Sequence, residues 1–147
     1  MKISENFSLK EFEYSLIAEK NKIDNRIPEK IIPNIKFLTT NLLQPIRNKL
    51  KKEILILSGY RCKELNVKVG GVHNSQHMEG EAADIICKEI TTLELYNFIK
   101  GKFEYDQLIL EHFDSSNPKS GWVHISYKNG KNRKMSFEIK KNNESFI

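Results

Sequence analysis

The sequence predicts an α+β fold in which N-terminal helices pack on a mainly antiparallel sheet. Two observations carry that expectation. Apolar residues recur at helical spacing early, at Ile35, Leu38, Leu42, Leu43, Ile46 and Leu50. Short apolar or alternating runs of strand type gather later, from Ile54 onward, so helices come first and strands follow. At 147 residues the chain fits one domain, 1–147, in which a single site must carry the function.

The elements follow in order. Ser8 and Glu11 form a capping box and Phe7 is placed to staple onto Phe12, so a first helix is expected from Leu9 to Glu19. The polar, proline-containing stretch Asn21 to Pro33 reads as a loop, and the aliphatic helix after it should bend at Pro45. Ile54 to Leu57 is an apolar run ending at Ser58-Gly59, which marks a buried strand. From Gly59 to Gly80 runs a long connection with Gly70-Gly71; a stretch of that length inside a small domain is either functional or partly helical. Ala82 to Cys87 reads as a strand, and Thr91 with Glu94 as a capping box opening a helix to Lys100. Tyr105 to Glu111, Trp122 to Tyr127 and Met135 to Ile139 are the remaining strands, the last two expected to be joined as a hairpin across Asn129-Gly130.

Composition excludes several classes of protein. The apolar runs fall short of the 18 or more residues of a membrane span, and MKISENFSLKEF lacks the apolar stretch of a secretion signal, so synthesis in the cytoplasm is expected. The net charge of +5 is concentrated at the end of the chain, where Lys128, Lys131, Arg133, Lys134, Lys140 and Lys141 face only Glu138 and Glu144. Without interleaved stacking aromatics this reads as a solvated face and not as a nucleic-acid interface. Cys62 and Cys87 lack metal-ligand spacing and read as reduced thiols. A monomer is expected.

The titratable residues have one unusual concentration. His73, Ser75, His77 and Asp84 lie in or just beyond the long connection, and Glu111, His112 and His124 lie near the ends of two strands. Two His and one Asp supply the donor set of a catalytic zinc, which takes three protein ligands and leaves one position open. Strand alternation constrains which of these meet: if Leu108 and Leu110 face the core, and Val123 and Ile125 do too, then Glu111 and His124 share the opposite face.

At this point the residues become specific. Ser58-Gly59-Tyr60-Arg61, Asn66 with Gly70-Gly71, the run Ser75 to Asp84 (SQHMEGEAAD) and Trp122-Val123-His124-Ile125-Ser126 resemble the zinc D-alanyl-D-alanine carboxypeptidase and L-alanyl-D-glutamate endopeptidase family. These cell-wall peptidases are related in fold to the Hedgehog signalling domain. The opening Asn6 to Phe12 is also similar to the start of small phage and prophage members. The resemblance implies zinc held by His77, Asp84 and His124, with peptidoglycan stem peptide as substrate. It implies that Arg61 holds a substrate carbonyl or carboxylate and that Ser75 is a polar support. It also implies action on the cell wall after release, as in an endolysin.

One departure stands out. Many relatives keep an acid three residues before the last zinc-binding His, and here that position is Gly121. Glu111 resembles the Glu of the phage-type members at the end of its strand and is the candidate general base. The competing reading, a metal-containing binding module without turnover, rests on the same glycine. His73, four residues before His77, is the alternative ligand, and His112 reads as exposed or supporting. Trp122 is either core or a wall of the substrate groove, and Tyr60 and Tyr127 carry the same ambiguity. Glu79 and Glu81 read as solvated loop charges, and Asp106 and Asp114 as cap or turn residues.

Overall fold

The computed structural model describes residues 1–141, so Glu144 of the basic tail lies outside them. Helices lead and strands follow, as the order of the patterns requires. The predicted first helix is corrected into two, α1 (Leu9–Glu13) and α2 (Leu16–Lys20), separated by an extended Tyr14 and a new cap in which Ser15 accepts from the Ala18 N–H. The cause is tertiary. Phe12 O, which a continuing helix would use internally, accepts from Tyr60 N at 2.8 Å. Glu13 O accepts from Asn25 Nδ2 at 3.0 Å.

The next helix is interrupted where Pro45 removes an N–H from the ladder. It consists of α3 (Ile32–Leu38), a π-helical turn (Thr39–Leu43) and α4 (Gln44–Leu50), with Gln44 N reaching back five residues to Thr39 O. The loop before it is shorter than expected, because Glu29–Ile31 forms a 3-10 turn and Pro33 sits in the first turn of α3, where a missing N–H is harmless. Ile35, Leu38, Leu42, Leu43 and Ile46 are fully buried and form the inward face.

The sheet comprises β1 (Leu55–Ser58), β2 (Ala82–Ile86), β3 (Gln107–Glu111), β4 (Trp122–Ser126) and β5 (Met135–Ile139), in the order β1-β2-β4-β3-β5. Three of its pairings are antiparallel and that of β3 with β5 is parallel. The expected hairpin across Asn129-Gly130 is therefore corrected. Both edges of β4 are already taken, by β2 and β3, so β5 has no edge of β4 to join and crosses to the outer edge of β3. The long connection after β1 is partly helical: it holds α5 (Lys63–Lys68) and a 3-10 turn (Gln76–Glu79), and α6 (Thr92–Ile99) follows β2 behind the predicted Thr91–Glu94 capping box.

Alternation gives the sheet two unlike faces. Ala83, Ile85, Leu108, Leu110, Val123 and Ile125 are buried and belong to the core that also contains the helices. On the opposite face one rung crosses all five strands through paired residues Ser58, Asp84, His124, Ile109 and Phe137. Polar side chains thus meet because period-two alternation places every second residue of β2 and β4 on the same side.

Asp106, read above as a cap or turn residue, is instead fully buried. Arg133 grips its carboxylate through Nε at 3.0 Å and an NH2 nitrogen at 2.6 Å, while Arg133 N and Gln76 Nε2 donate at 2.9 and 3.1 Å. Burial by itself would raise this carboxyl; the Arg133 and Gln76 hydrogen bonds outweigh burial and bring it down to about 2. The stabilisation is complete above the unfolded value near 4 and is lost as pH falls through about 2. Asp106→Asn is expected to cost about 2 kcal/mol near neutral pH, since the hydrogen bonds of a half-exposed guanidinium to a buried carboxylate are weakened. Urea midpoints should show the difference shrinking between pH 4 and pH 2; a gap independent of pH would contradict this account.

Candidate metal centre

The open face of the sheet borders a cleft of about 610 Å³. Three donors meet in it. His77 comes from the 3-10 turn before β2, Asp84 from the middle of β2 and His124 from the middle of β4. Asp84 Oδ1 lies 3.4 Å from His77 Nε2 and 3.0 Å from His124 Nδ1, and the three donor atoms lie within 4.8 Å of one another. Donors around a tetrahedral zinc at ~2.1 Å stand ~3.4 Å apart, so the separations fit such an ion.

Each donor is oriented from behind. Ser75 Oγ accepts from His77 N and so caps the turn, which ends at Gly80 in the left-handed region at φ 73°. A side chain at Gly80 would meet Ile31 Cγ2 at 2.6 Å, so glycine serves both the turn and its packing against α3's approach. His77 Nδ1 donates to Gly59 O at 2.7 Å, which leaves the Nε2 lone pair for an ion. Asp84 Oδ2 accepts from an Arg61 NH2 nitrogen at 3.2 Å, leaving Oδ1 between the two imidazoles. Burial pushes the Asp84 carboxyl up, but its electrostatic and hydrogen-bond contacts with His77 and His124 more than offset it. The group stays well below the usual carboxylate range and ionised.

Glu111 and Trp122 are paired across β3 and β4, beside the donor rung. Trp122 Nε1 donates to Glu111 Oε2 at 3.0 Å, and that oxygen stands 4.0 Å from His124 Nδ1. Trp122, half-buried, lines the cleft and packs on His112 with ring centroids 4.8 Å apart. Tyr60 is buried in the core, and Tyr127 packs against it. Gly121 has φ 72°, and a Cβ there would lie 2.2 Å from Glu111 O. No side chain fits, so an acid at this position is sterically excluded.

Of the other residues weighed from sequence, His73 is exposed and stands outside the donor group. Arg61 and Ser75 line the cleft, with Ser75 buried. Glu79 is exposed, whereas Glu81 is half-buried and its carboxyl is raised by burial against the opposing Gln76 hydrogen bond. Asp114 is a turn residue bonded to Ser116 N. Cys62 and Cys87 are free thiols. Sequence reasoning missed Arg133, which lines the cleft and was counted with the solvated tail. Its only sequence sign is an acid, Asp106, at the head of an apolar strand; pairing the two requires knowing that β5 joins β3.

A largely buried His-Asp-His group on the open face of an α+β sheet, with a carboxylate held alongside, is the arrangement of a candidate metallohydrolase. The sequence profile of the Peptidase M15 family matches residues 5–126, and the chain belongs to that family. No individually curated protein matches the sequence closely. The matched segment contains all three donors and Glu111 and stops at the end of β4, before Arg133 and β5.

Proposed function

We propose that the chain is a zinc peptidase that hydrolyses an amide bond in the stem peptide of bacterial peptidoglycan. The observation that carries this reading is the convergence of His77, Asp84 and His124 with Glu111 4.0 Å from His124. Zinc in that donor set supplies Lewis-acid polarisation of the scissile carbonyl and acidifies a water. Glu111 acts as general base: Trp122 fixes Oε2, and the carboxylate takes a proton from the attacking water and delivers it to the leaving amine. Arg61 has two roles. It holds Asp84 in place, and its remaining N–H groups face the cleft as donors to a substrate carbonyl. Ser75 supports the turn that carries His77, and Trp122 forms one wall for the peptide.

The basic end of the chain favours an anionic wall by long-range attraction that salt weakens. Among the described residues no helix is long and apolar enough to cross a membrane. Release to the wall as a phage or prophage lysis enzyme is the setting we infer from the similarity of the opening residues. The binding-module reading rested on Gly121, and Glu111 beside the donors favours the enzyme.

Chelation is expected to abolish cleavage of purified peptidoglycan and zinc to restore it. His77→Ala, Asp84→Ala and His124→Ala should each fall below one zinc per chain by elemental analysis. Cleavage that persists in excess chelator, or a fully metallated triple variant, would defeat the assignment. Mass spectrometry of the released fragments identifies the bond cut, D-Ala-D-Ala or L-Ala-D-Glu.

A further inference from the structure

The substrate class proposed above is anionic, yet in this lysine-rich chain the cations lining the cleft are two arginines, Arg61 and Arg133. They differ in what they have left to give. Arg61 already has an internal partner on every nitrogen, Nε on Ser58 Oγ at 3.1 Å, NH1 on Asn66 Oδ1 at 3.2 Å and NH2 on Asp84 Oδ2 at 3.2 Å, and keeps a single N–H on each terminal nitrogen. Its side chain is 14% exposed, against 46% for Arg133.

Arg133 is anchored from one side only. Its Nε and one NH2 nitrogen grip the buried Asp106, and the other terminal nitrogen is left for a ligand. Lys128 Nζ also lies 3.9 Å from Asp106 Oδ1, and Glu81, bonded to Gln76 at 3.3 Å, completes a formally neutral group of two cations and two carboxylates. Gln76, next to the donor His77, bonds the Asp106 carboxylate at 3.1 Å and ties the cluster to the metal-donor turn. A guanidinium held rigidly by a buried carboxylate forfeits little side-chain freedom on binding, which suits it to bidentate capture of a second carboxylate.

Register gives the distance. Ile109 faces His124 across β3 and β4, and Arg133 is fastened to Asp106, the residue before β3. From Ile109 back to Asp106 is three residues of strand, ~10 Å, so a group bound there lies within about three residues of extended peptide of the donors.

We propose that Arg133 is a specificity-determining residue that binds a free carboxylate of the substrate up to three residues beyond the scissile amide. This rests on the peptidase reading and narrows it to peptides cut near a carboxyl end. Arg133 lies beyond the segment that matches the family, in the connection that leads into β5.

The test uses the zinc-loaded full chain carrying Glu111→Gln, which binds without turnover. Its sole tryptophan, Trp122, sits in the cleft and reports binding by fluorescence. The probes are a tripeptide ending in D-Ala-D-Ala as the free acid and the same peptide as its C-terminal amide. The acid is expected to bind about tenfold more tightly than the amide, a difference of ~1.4 kcal/mol. Arg133→Lys should remove most of that preference. Arg133→Gln with Asp106→Asn, which leaves no unpaired buried charge, should remove it while amide binding stays within about twofold.

Equal affinity for acid and amide, or equal weakening of both in the double variant, overturns the proposal. Hydrolysis by the chain with Glu111 intact separates the two readings. Cleavage indifferent to the carboxylate and to Arg133 sinks the anchor and leaves the peptidase. Arg133-dependent binding of the acid without any cleavage leaves the anchor and sinks the peptidase.

Discussion

Glu111→Gln is expected to lower turnover on peptidoglycan by at least ~100-fold, the ordinary contribution of a general base, while leaving zinc content and the folded state intact. Glutamine keeps the shape of the side chain and an oxygen to accept from Trp122 Nε1, so the contact across β3 and β4 survives and only the proton-carrying capacity is lost. A companion variant separates chemistry from positioning. Trp122→Phe keeps an aromatic wall but removes the donor that fixes Oε2, and a hydrogen bond to a charged group is worth ~1.5 kcal/mol, or roughly tenfold in rate. Steady-state rates and zinc stoichiometry on both variants are the measurement. Full activity in Glu111→Gln would remove Glu111 from the reaction and reopen the reading of a metal-containing binding module.

Gly121→Ala should be among the most damaging single substitutions in the chain. The position has φ 72°, which costs a side-chain-bearing residue about 1–2 kcal/mol. The added Cβ would also lie 2.2 Å from Glu111 O and 2.8 Å from both His112 C and Phe113 N, all backbone atoms that cannot swing aside. A loss of at least ~3 kcal/mol is expected, or a melting temperature lower by roughly 6–12 °C for a domain of this size. Because the strained atoms include the backbone of Glu111, turnover should fall with stability. Gly121→Asp is expected to behave alike and not to restore an acid to the site. A stable, active Gly121→Asp enzyme would show that β3 and the loop after it yield more than their packing suggests.

The sequence was most legible where local chemistry repeats a known physical pattern. The aliphatic spacing from Ile35 to Leu50 announced the buried helix, and the Thr91–Glu94 box announced the start of α6. Alternation in β3 and β4 put Glu111 and His124 on one face before any pairing was known, and the observed register agrees. It failed where a distant partner competes for a group that local structure would use. The Phe12 and Glu13 carbonyls are drawn off by Tyr60 and Asn25, so one predicted helix became two. Asn129-Gly130 has the chemistry of a hairpin turn, but strand order, which no short window encodes, left β4 without a free edge.

The sequence by itself therefore determined the class of fold, which depends on residue type and local spacing, and its resemblance to a known family named the residues able to hold a metal and the candidate base. Only the tertiary structure decided that Gly121 can bear no side chain and that β5 lies parallel to β3. It alone joined Arg133 to Asp106 beside the cleft, turning a charge of the tail into part of the site. The physical reason is common to all three: each follows from which backbone and side-chain groups become neighbours once the sheet is assembled, and that is fixed by long-range packing rather than by local propensity.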